Sequence, residues 1–474
     1  MAATAPVSEP TTRISALADV IDDLAASFPH IAVLAPSVQT IAYLDDAATR
    51  RARGDAASGP AVALPATTEE VQEVVRAAAR HGVTIVPRGA GTGLSGGASA
   101  TAAQLVLSTE RLDRIVEVAP LDEVAVVEPG VLNAALNEHL AAWGLFYAPD
   151  PASYEISTIG GNVATNAGGL RCAKYGVTRE SVLALDVVLA DGELITIGHR
   201  SIKGVTGFDL VSLFVGSEGV LGIVVRATVR VRPLPVARRT VSAFFDTTAA
   251  GASALSAITR SSVRPAVIEF LDGRTLANID QHRGTDLSIR GGSLLLIELD
   301  GYGIDEQFAD LRDALEAVGG RVTQERDAAG EALWALRRGG RGLDERSWFA
   351  GGDIAVPKSR IPDVYAALPE LEQRFGVEIG AVAHAGDGNL HPVITRPIPD
   401  GADPLVPPAE LHDASDELAR LALSLGGTVS GEHGIGTVKR ELAALELSPR
   451  SLEAQLAVKA AFDPFELLNP GKAL

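Results

Sequence analysis

Residues 87–97 read Pro87-Arg88-Gly89-Ala90-Gly91-Thr92-Gly93-Leu94-Ser95-Gly96-Gly97, with five glycines in eleven positions. Glycine reaches positive φ without the steric cost of a Cβ. Such a run can aim successive backbone N–H groups into one concavity, which suits a phosphate or pyrophosphate. Arg88 would add charge. Gly91 to Gly96 spells GxGxxG, but no clear amphipathic helix opens from it as a Rossmann turn requires, and no Gly-Lys-Ser/Thr follows as in a Walker A loop. Taken alone, the stretch reads equally well as a plain surface loop.

Two more segments change that balance. Asp150-Pro151-Ala152-Ser153 leads to Ser157-Thr158-Ile159-Gly160-Gly161-Asn162-Val163-Ala164-Thr165-Asn166-Ala167-Gly168-Gly169. From Ser157 onward it is small, hydrogen-bonding and uncharged, a backbone suited to lie against a flat polar ligand such as a flavin. The third segment is Val215-Gly216-Ser217-Glu218-Gly219-Val220-Leu221-Gly222-Ile223-Val224. Together the three resemble the FAD-binding domain of the vanillyl-alcohol oxidase / p-cresol methylhydroxylase (PCMH) superfamily, over about residues 57–235.

The resemblance implies that the first loop wraps the pyrophosphate, while the others line the ribityl chain and isoalloxazine. The implied cofactor contacts are Pro87 to Ser95, Asp150, Pro151, Ser157 to Asn162, Thr165, Asn166, Gly168, Gly169, Glu218, Gly222, Ile223, Val224 and Asn469. The first loop has no histidine for a covalent link, and Cys172 does not fit a cysteinyl-flavin motif. Noncovalent FAD is expected, with Cys172 a small buried residue.

Around these loops, helical apolar spacing predicts helices over 14–28, 69–81 (N-cap Thr67 or Thr68, Gly82 at the end) and 131–143. Short strands are expected at Thr84–Pro87, Leu105–Leu107, Ile115–Val118 and Val124–Val127. A hairpin turns at Asp191-Gly192 within 182–197, and 220–232 is β-rich. Beyond Pro235 helices (248–260, 305–318, 359–375, 409–426) alternate with strands (265–271, 293–299, 349–356, 379–384, 392–395). Five prolines make 397–408 an irregular connection. The predicted fold class is α+β. It comprises an N-terminal helical segment (1–56), a two-subdomain FAD-binding domain of the PCMH type (57–235), an α+β cap with an antiparallel sheet (236–426) and a C-terminal segment (427–474) returning to the flavin.

Composition bounds the partners. A net charge of -19 without any Lys/Arg run excludes a nucleic-acid binder. One cysteine excludes an intramolecular disulfide and a four-cysteine zinc site. No signal peptide is read at the N-terminus, and no stretch approaches the roughly 18 apolar residues of a transmembrane helix. A cytoplasmic protein is expected, with peripheral membrane contact and a homodimer left open.

Two glycine-rich segments of the second half hold three of the nine histidines. They are His384-Ala385-Gly386-Asp387-Gly388-Asn389-Leu390-His391 and Ser430-Gly431-Glu432-His433-Gly434-Ile435-Gly436. Gly-Asp-Gly-Asn signals a turn, which can bring His384 and His391 to one point. Two imidazoles and a carboxylate, Glu432, make a three-ligand metal site with open positions. A lone histidine would be read as an ordinary core or surface residue; three beside glycines suit close approach of a ligand.

These segments resemble the branch of glycolate oxidase D-subunits, D-lactate dehydrogenases and D-2-hydroxyglutarate dehydrogenases. The resemblance extends to Asn469-Pro470-Gly471-Lys472. It implies that His384, His391 and Glu432 bind a divalent metal (Zn first, Mn or Fe as alternatives) and that His433 is the catalytic base. Leu333-Trp334-Ala335-Leu336-Arg337 resembles the segment whose arginine binds the substrate carboxylate. The competing reading is a solvated arginine in the cluster Arg337, Arg338, Arg341. Asn389 is a further candidate for a substrate hydrogen bond. The hydroxyglutarate enzymes carry a lysine where Gly351 precedes Asp353. Lys358 is the candidate substitute, against an ordinary surface lysine.

The expected reaction is oxidation of a D-2-hydroxy acid to the 2-oxo acid with hydride transfer to flavin N5. D-lactate or glycolate come first as substrate, then D-2-hydroxyglutarate. The electron acceptor is left among electron-transfer flavoprotein, a quinone and a cytochrome. Two alternatives are a non-redox transferase like the alkylglycerone-phosphate synthases, which carry a histidine run in place of Gly431-Glu432-His433, and an electron-transfer subunit of a complex.

Overall fold

The computed structural model describes residues 10–49, 58–339 and 346–474. Arg341 lies outside them. The N-terminal helix, Pro10–Ser27, buries Leu17, Val20 and Leu24 at helical spacing. Helix Thr68–His81 starts where Thr67 accepts a hydrogen bond from Glu70 N and stops at Gly82, whose φ of 64° only glycine adopts easily. Both helices share a core with the four-stranded sheet ordered Ala32–Leu34, Ala61–Leu64, Leu105–Ser108, Ile85–Arg88. Its parallel strands are apolar up to their last residues, Ser108 and Arg88, because they are buried.

A five-stranded antiparallel sheet follows, ordered Ile115–Ala119, Val124–Val127, Ile223–Arg230, Val182–Val188, Leu194–Gly198. The expected hairpin is its 182–188 and 194–198 pair. The groove between these two sheets is edged by the glycine-rich segments.

The third sheet has eight strands. Seven run in the order Arg321–Gln324, Arg238–Phe245, Ser293–Asp300, Val267–Asp272, Glu378–His384, Asn389–Pro397, Ser347–Gly351, and Ile354–Ala355 also pairs with Asn389–Pro397. All its pairings are antiparallel. Alternation along the strands divides the side chains. Val241, Phe245, Phe270, Ile297 and Ala383 share a core with helices Thr248–Arg260, Ile304–Glu316, Ile361–Phe375 and Ala409–Ser424. The opposite face carries Val267, Leu271, Leu296 and Val382 in a smaller apolar cluster. By the same alternation Glu269, His384 and His391 lie on that second face.

Three expectations needed correction. The 349–356 strand is two, broken at Gly352-Asp353. The glycine-rich 159–165 segment, for which no helix was expected, is a short helix capped by Thr158. The 427–474 tail contains helices Arg440–Glu446 and Pro449–Phe462. The latter buries no residue fully, so its sequence shows no apolar stripe. After it the chain does return: Leu468 bridges Ile85, with Ile85 N donating to Leu467 O (2.7 Å) and Asn469 N to Ile85 O (2.7 Å). No helix among the described residues is long and apolar enough to cross a membrane.

Candidate active site

The first glycine-rich loop leaves the strand Ile85–Arg88 and forms no helix before Ala100. It borders two cavities. One, about 620 Å³, is lined by Tyr43, Gly89, Ala90, Gly130, Leu132 and Thr158 among others. That volume suits a sizeable organic ligand. The other, about 60 Å³, is a slot between Pro87 and Gly89 on one side and Gly160, Gly161, Gly222, Ile223 and Val224 on the other. The three segments thus meet along one groove. A Cβ on Gly89 would collide with Thr158 Oγ1, and one on Gly160 with Pro129. Ser157 Oγ and Asn162 Nδ2 are buried without a partner. Buried polar atoms are normally satisfied, so these suit a polar cofactor, and the groove fits FAD.

Several expected cofactor contacts also brace neighbouring loops. Arg88 is buried, and its guanidinium donates to Ala98 O, Ala42 O and Asp45 O at 3.0–3.1 Å. Its charge braces the loop, and the residue also lines both cavities. Glu218, at a φ of 51°, accepts from Ile435 N (2.7 Å) and Gly436 N (2.8 Å). Asn469 Nδ2 donates to Gly97 O and Glu218 O. Ser95 Oγ donates to Gly434 O, Thr165 Oγ1 to Gly161 O, and Asn166 Oδ1 accepts from Arg179 N. Leu94 is half exposed, and Gly93 lies against Asp46. Asp150 accepts from Arg171 N, and Gly169 packs on its carbonyl. Burial, opposed by Arg171, raises the Asp150 carboxyl to about 6. Cys172 is buried and its thiol pushed up by burial, as befits a packing residue.

The histidine segments converge on the second face of the eight-stranded sheet. In the hairpin, His384 pairs with Asn389 and His391 with Val382. The two imidazoles are therefore diagonal neighbours on one face, with ring centroids 4.9 Å apart. Glu432 Oε1 lies 3.5 Å from His384 Nε2 and 3.2 Å from His391 Nε2. These three residues could hold one ion. Burial opposes the Glu432 charge, but hydrogen bonds from both imidazoles hold its carboxyl well below the usual range. Burial pushes His391 down to about 4, keeping it neutral.

Behind His384 stands Glu269, which sequence reasoning missed. It is fully buried, and its Oε1 lies 2.6 Å from His384 Nδ1. Burial works against a charged His384, and Glu269 outweighs it, raising the imidazole well above its ordinary value. A proton shared at Nδ1 leaves Nε2 to face an ion, the usual arrangement behind a metal-bound histidine. The signal was present: one carboxylate interrupts the apolar run Val267-Ile268-Glu269-Phe270-Leu271. The Nε of Arg337 donates to Glu269 Oε2 at 2.5 Å, so Arg337 is neither a solvated surface arginine nor an uncommitted cation.

His433 stacks on His391 at 5.2 Å and 17°. At 24% exposure its side chain is the open member of the cluster. Gly168 joins the two regions, since a Cβ there would collide with Glu432 Oε2. Both hydrogens of the Asn389 amide go to Asp353 Oδ1 (2.8 Å) and Ile354 O (2.9 Å). Only its Oδ1 lacks a partner. Lys358 sits exposed on the 3₁₀ turn Lys358–Arg360, as an ordinary surface lysine would. Asp353, also missed, is buried between two strands and accepts from Asn389 and from the amides of the 431–433 loop.

Residues 60–198 match the FAD binding domain family, and residues 234–473 match the family of FAD linked oxidases, C-terminal domain. The glycolate oxidase subunit GlcD of Bacillus subtilis is 38% identical over 418 residues, 87% of this chain and 88% of that one. The D-lactate dehydrogenase of Archaeoglobus fulgidus is 34% identical over 88% and 92% of the two chains. The D-2-hydroxyglutarate dehydrogenase of Xanthomonas citri pv. viticola is 34% identical over 87% and 88%. Solved p-cresol methylhydroxylase with substrate bound superposes at a TM-score of 0.75 and 19% identity over 98% of each chain. Alkyldihydroxyacetonephosphate synthase does so at 0.74 and 20%, over 99% of this chain and 86% of that one. The structural likenesses show the fold alone.

Proposed function

The chain belongs to the family of FAD-linked oxidases, and on that premise we propose that it oxidises a D-2-hydroxy acid to the 2-oxo acid beside a divalent ion held by His384, His391 and Glu432. The observation that carries this reading is the convergence of both Nε2 atoms and one carboxylate, with that carboxylate packed against Gly168 of the second glycine-rich segment. D-lactate and glycolate come first as substrates and D-2-hydroxyglutarate next. The relatives' names support that set, and Gly351 in place of a lysine counts against the last.

When bound, FAD supplies the hydride acceptor, and the divalent ion supplies the Lewis acidity that makes a hydroxyl easier to ionise. The chain's own residues do the rest. His433 turns Nδ1 toward Asp353, 4.0 Å away, which leaves Nε2 to take the substrate hydroxyl proton. Arg337 has Nε committed to Glu269, so its terminal nitrogens would meet the substrate carboxylate. A complex with an electron acceptor fits the subunit name that relatives carry.

The test is to mix the FAD- and metal-loaded protein anaerobically with single hydroxy acids and follow flavin absorbance. One D-acid should bleach it, its L-enantiomer should not, and His433→Ala should slow bleaching about 10³-fold. No bleaching by any acid, with both groups bound, overturns the proposal.

A further inference from the structure

Asp353 occupies the break between strands Ser347–Gly351 and Ile354–Ala355, where it is 1% exposed. Its Oδ2 accepts from three successive backbone amides: Gly431 N at 3.0 Å, Glu432 N at 3.2 Å and His433 N at 3.0 Å. Ser430 Oγ (2.9 Å) and Lys439 Nζ (3.1 Å) donate to the same oxygen. Oδ1 accepts from Asn389 Nδ2 and faces His391 Nδ1 at 3.8 Å. That imidazole nitrogen is buried and has no other partner. Three consecutive amides closing on one oxygen form an anion nest.

We infer that Asp353 is the positioning residue that sets Glu432 and His433 together, so that one buried carboxylate orients both the third metal ligand and the proton acceptor. The inference rests on the metal site proposed above. The 430–436 loop has no helix or strand of its own. Its part-buried amides need acceptors, and Asp353 supplies them at 431–433 and Glu218 at 435–436. Gly431 explains how the loop comes so close: a Cβ there would collide with Asn389 Nδ2. Asp353, His391 and His433 also sit close enough to hold an ion themselves. The Lys439 ammonium bonded to the same carboxylate argues against a second cation there. Asp353 acts on the reaction through the residues it holds.

Asp353→Asn keeps the shape but turns a donor toward donors, and Ser430→Ala removes one of the five groups on Oδ2. Metal affinity is read by chelator competition on the FAD-loaded protein, with kcat, KM and FAD affinity beside it. D353N should weaken metal binding about 10–100-fold. It should lower kcat about 100-fold at saturating metal through displacement of His433, with FAD affinity unchanged. S430A should shift metal affinity and kcat in the same directions and less; if D353N fails to fold, S430A decides. A fall in melting temperature alone, with metal affinity and kcat as in the wild type, overturns the inference. A wild-type protein that takes up no metal overturns the metal site as well, which separates the two failures.

Discussion

The flavin groove and the histidine cluster are built by opposite means. The groove is made of backbone. Its glycines bring chain against chain, and its charged or amide side chains, Arg88, Glu218 and Asn469, are spent on carbonyls and amides of neighbouring loops. The cluster is made of side chains projecting from a hairpin and one loop, each backed by a buried carboxylate. A backbone site tolerates change in a side chain so long as the loop holds. A side-chain site fails when one atom moves.

The junction between the two is the place to break this contrast. Gly168→Ala would push a Cβ into Glu432 Oε2. It should cost about 10²-fold in kcat/KM, the effect of an ångström's displacement in a positioned group, while FAD content holds. Steady-state kinetics with flavin quantitation decide it. Unchanged kinetics would mean that the groove and the cluster do not depend on each other.

Asp150 sharpens the comparison by pH. Its folded carboxyl is raised to about 6 by burial, above its unfolded value. The unfolded chain therefore ionises first. Stability falls as pH rises from about 4 to about 6, and the loss is complete above that. Asp150→Asn keeps the acceptor for Arg171 N and carries no charge. It should stabilise the apo protein by about 3 kcal/mol above pH 6 and by nothing below pH 4, read by urea unfolding at each pH. Glu218→Gln replaces one acceptor of the 435–436 amides. It should cost about 1 kcal/mol in stability with little change in kcat, as befits a brace. A large fall in kcat would move Glu218 into the chemistry.

The same contrast explains what could be read from the sequence. Glycine spacing announced the groove, because close approach of chain to chain demands glycine and positive φ favours it. It did not tell which side chains face the cofactor, since Arg88 looks the same whether it holds a phosphate or three carbonyls. In the cluster the candidate ligands His384, His391 and Glu432 were legible, because few residue types suit an ion and a turn joins two of them. Glu269 and Asp353 were not. Glu269 does stand out as one carboxylate in an apolar strand, but the partners of both residues come from strands and loops far along the chain, which local spacing does not name. Helix Pro449–Phe462 escaped notice for lack of a buried stripe. The 14-residue helix Thr68–His81 was plain from its stripe and its caps.

The pairing of Ile85 with residues 467–469 has a consequence during synthesis. A growing chain can make the strands at 61–64, 85–88 and 105–108 early, and domains generally fold from the N-terminal side as they emerge. The edge at Ile85 nevertheless stays without its partner until residue 469 has left the ribosome, hundreds of residues later. The groove is thus finished last although its lining was made first, and any truncation that removes those residues acts on the oldest part of the molecule.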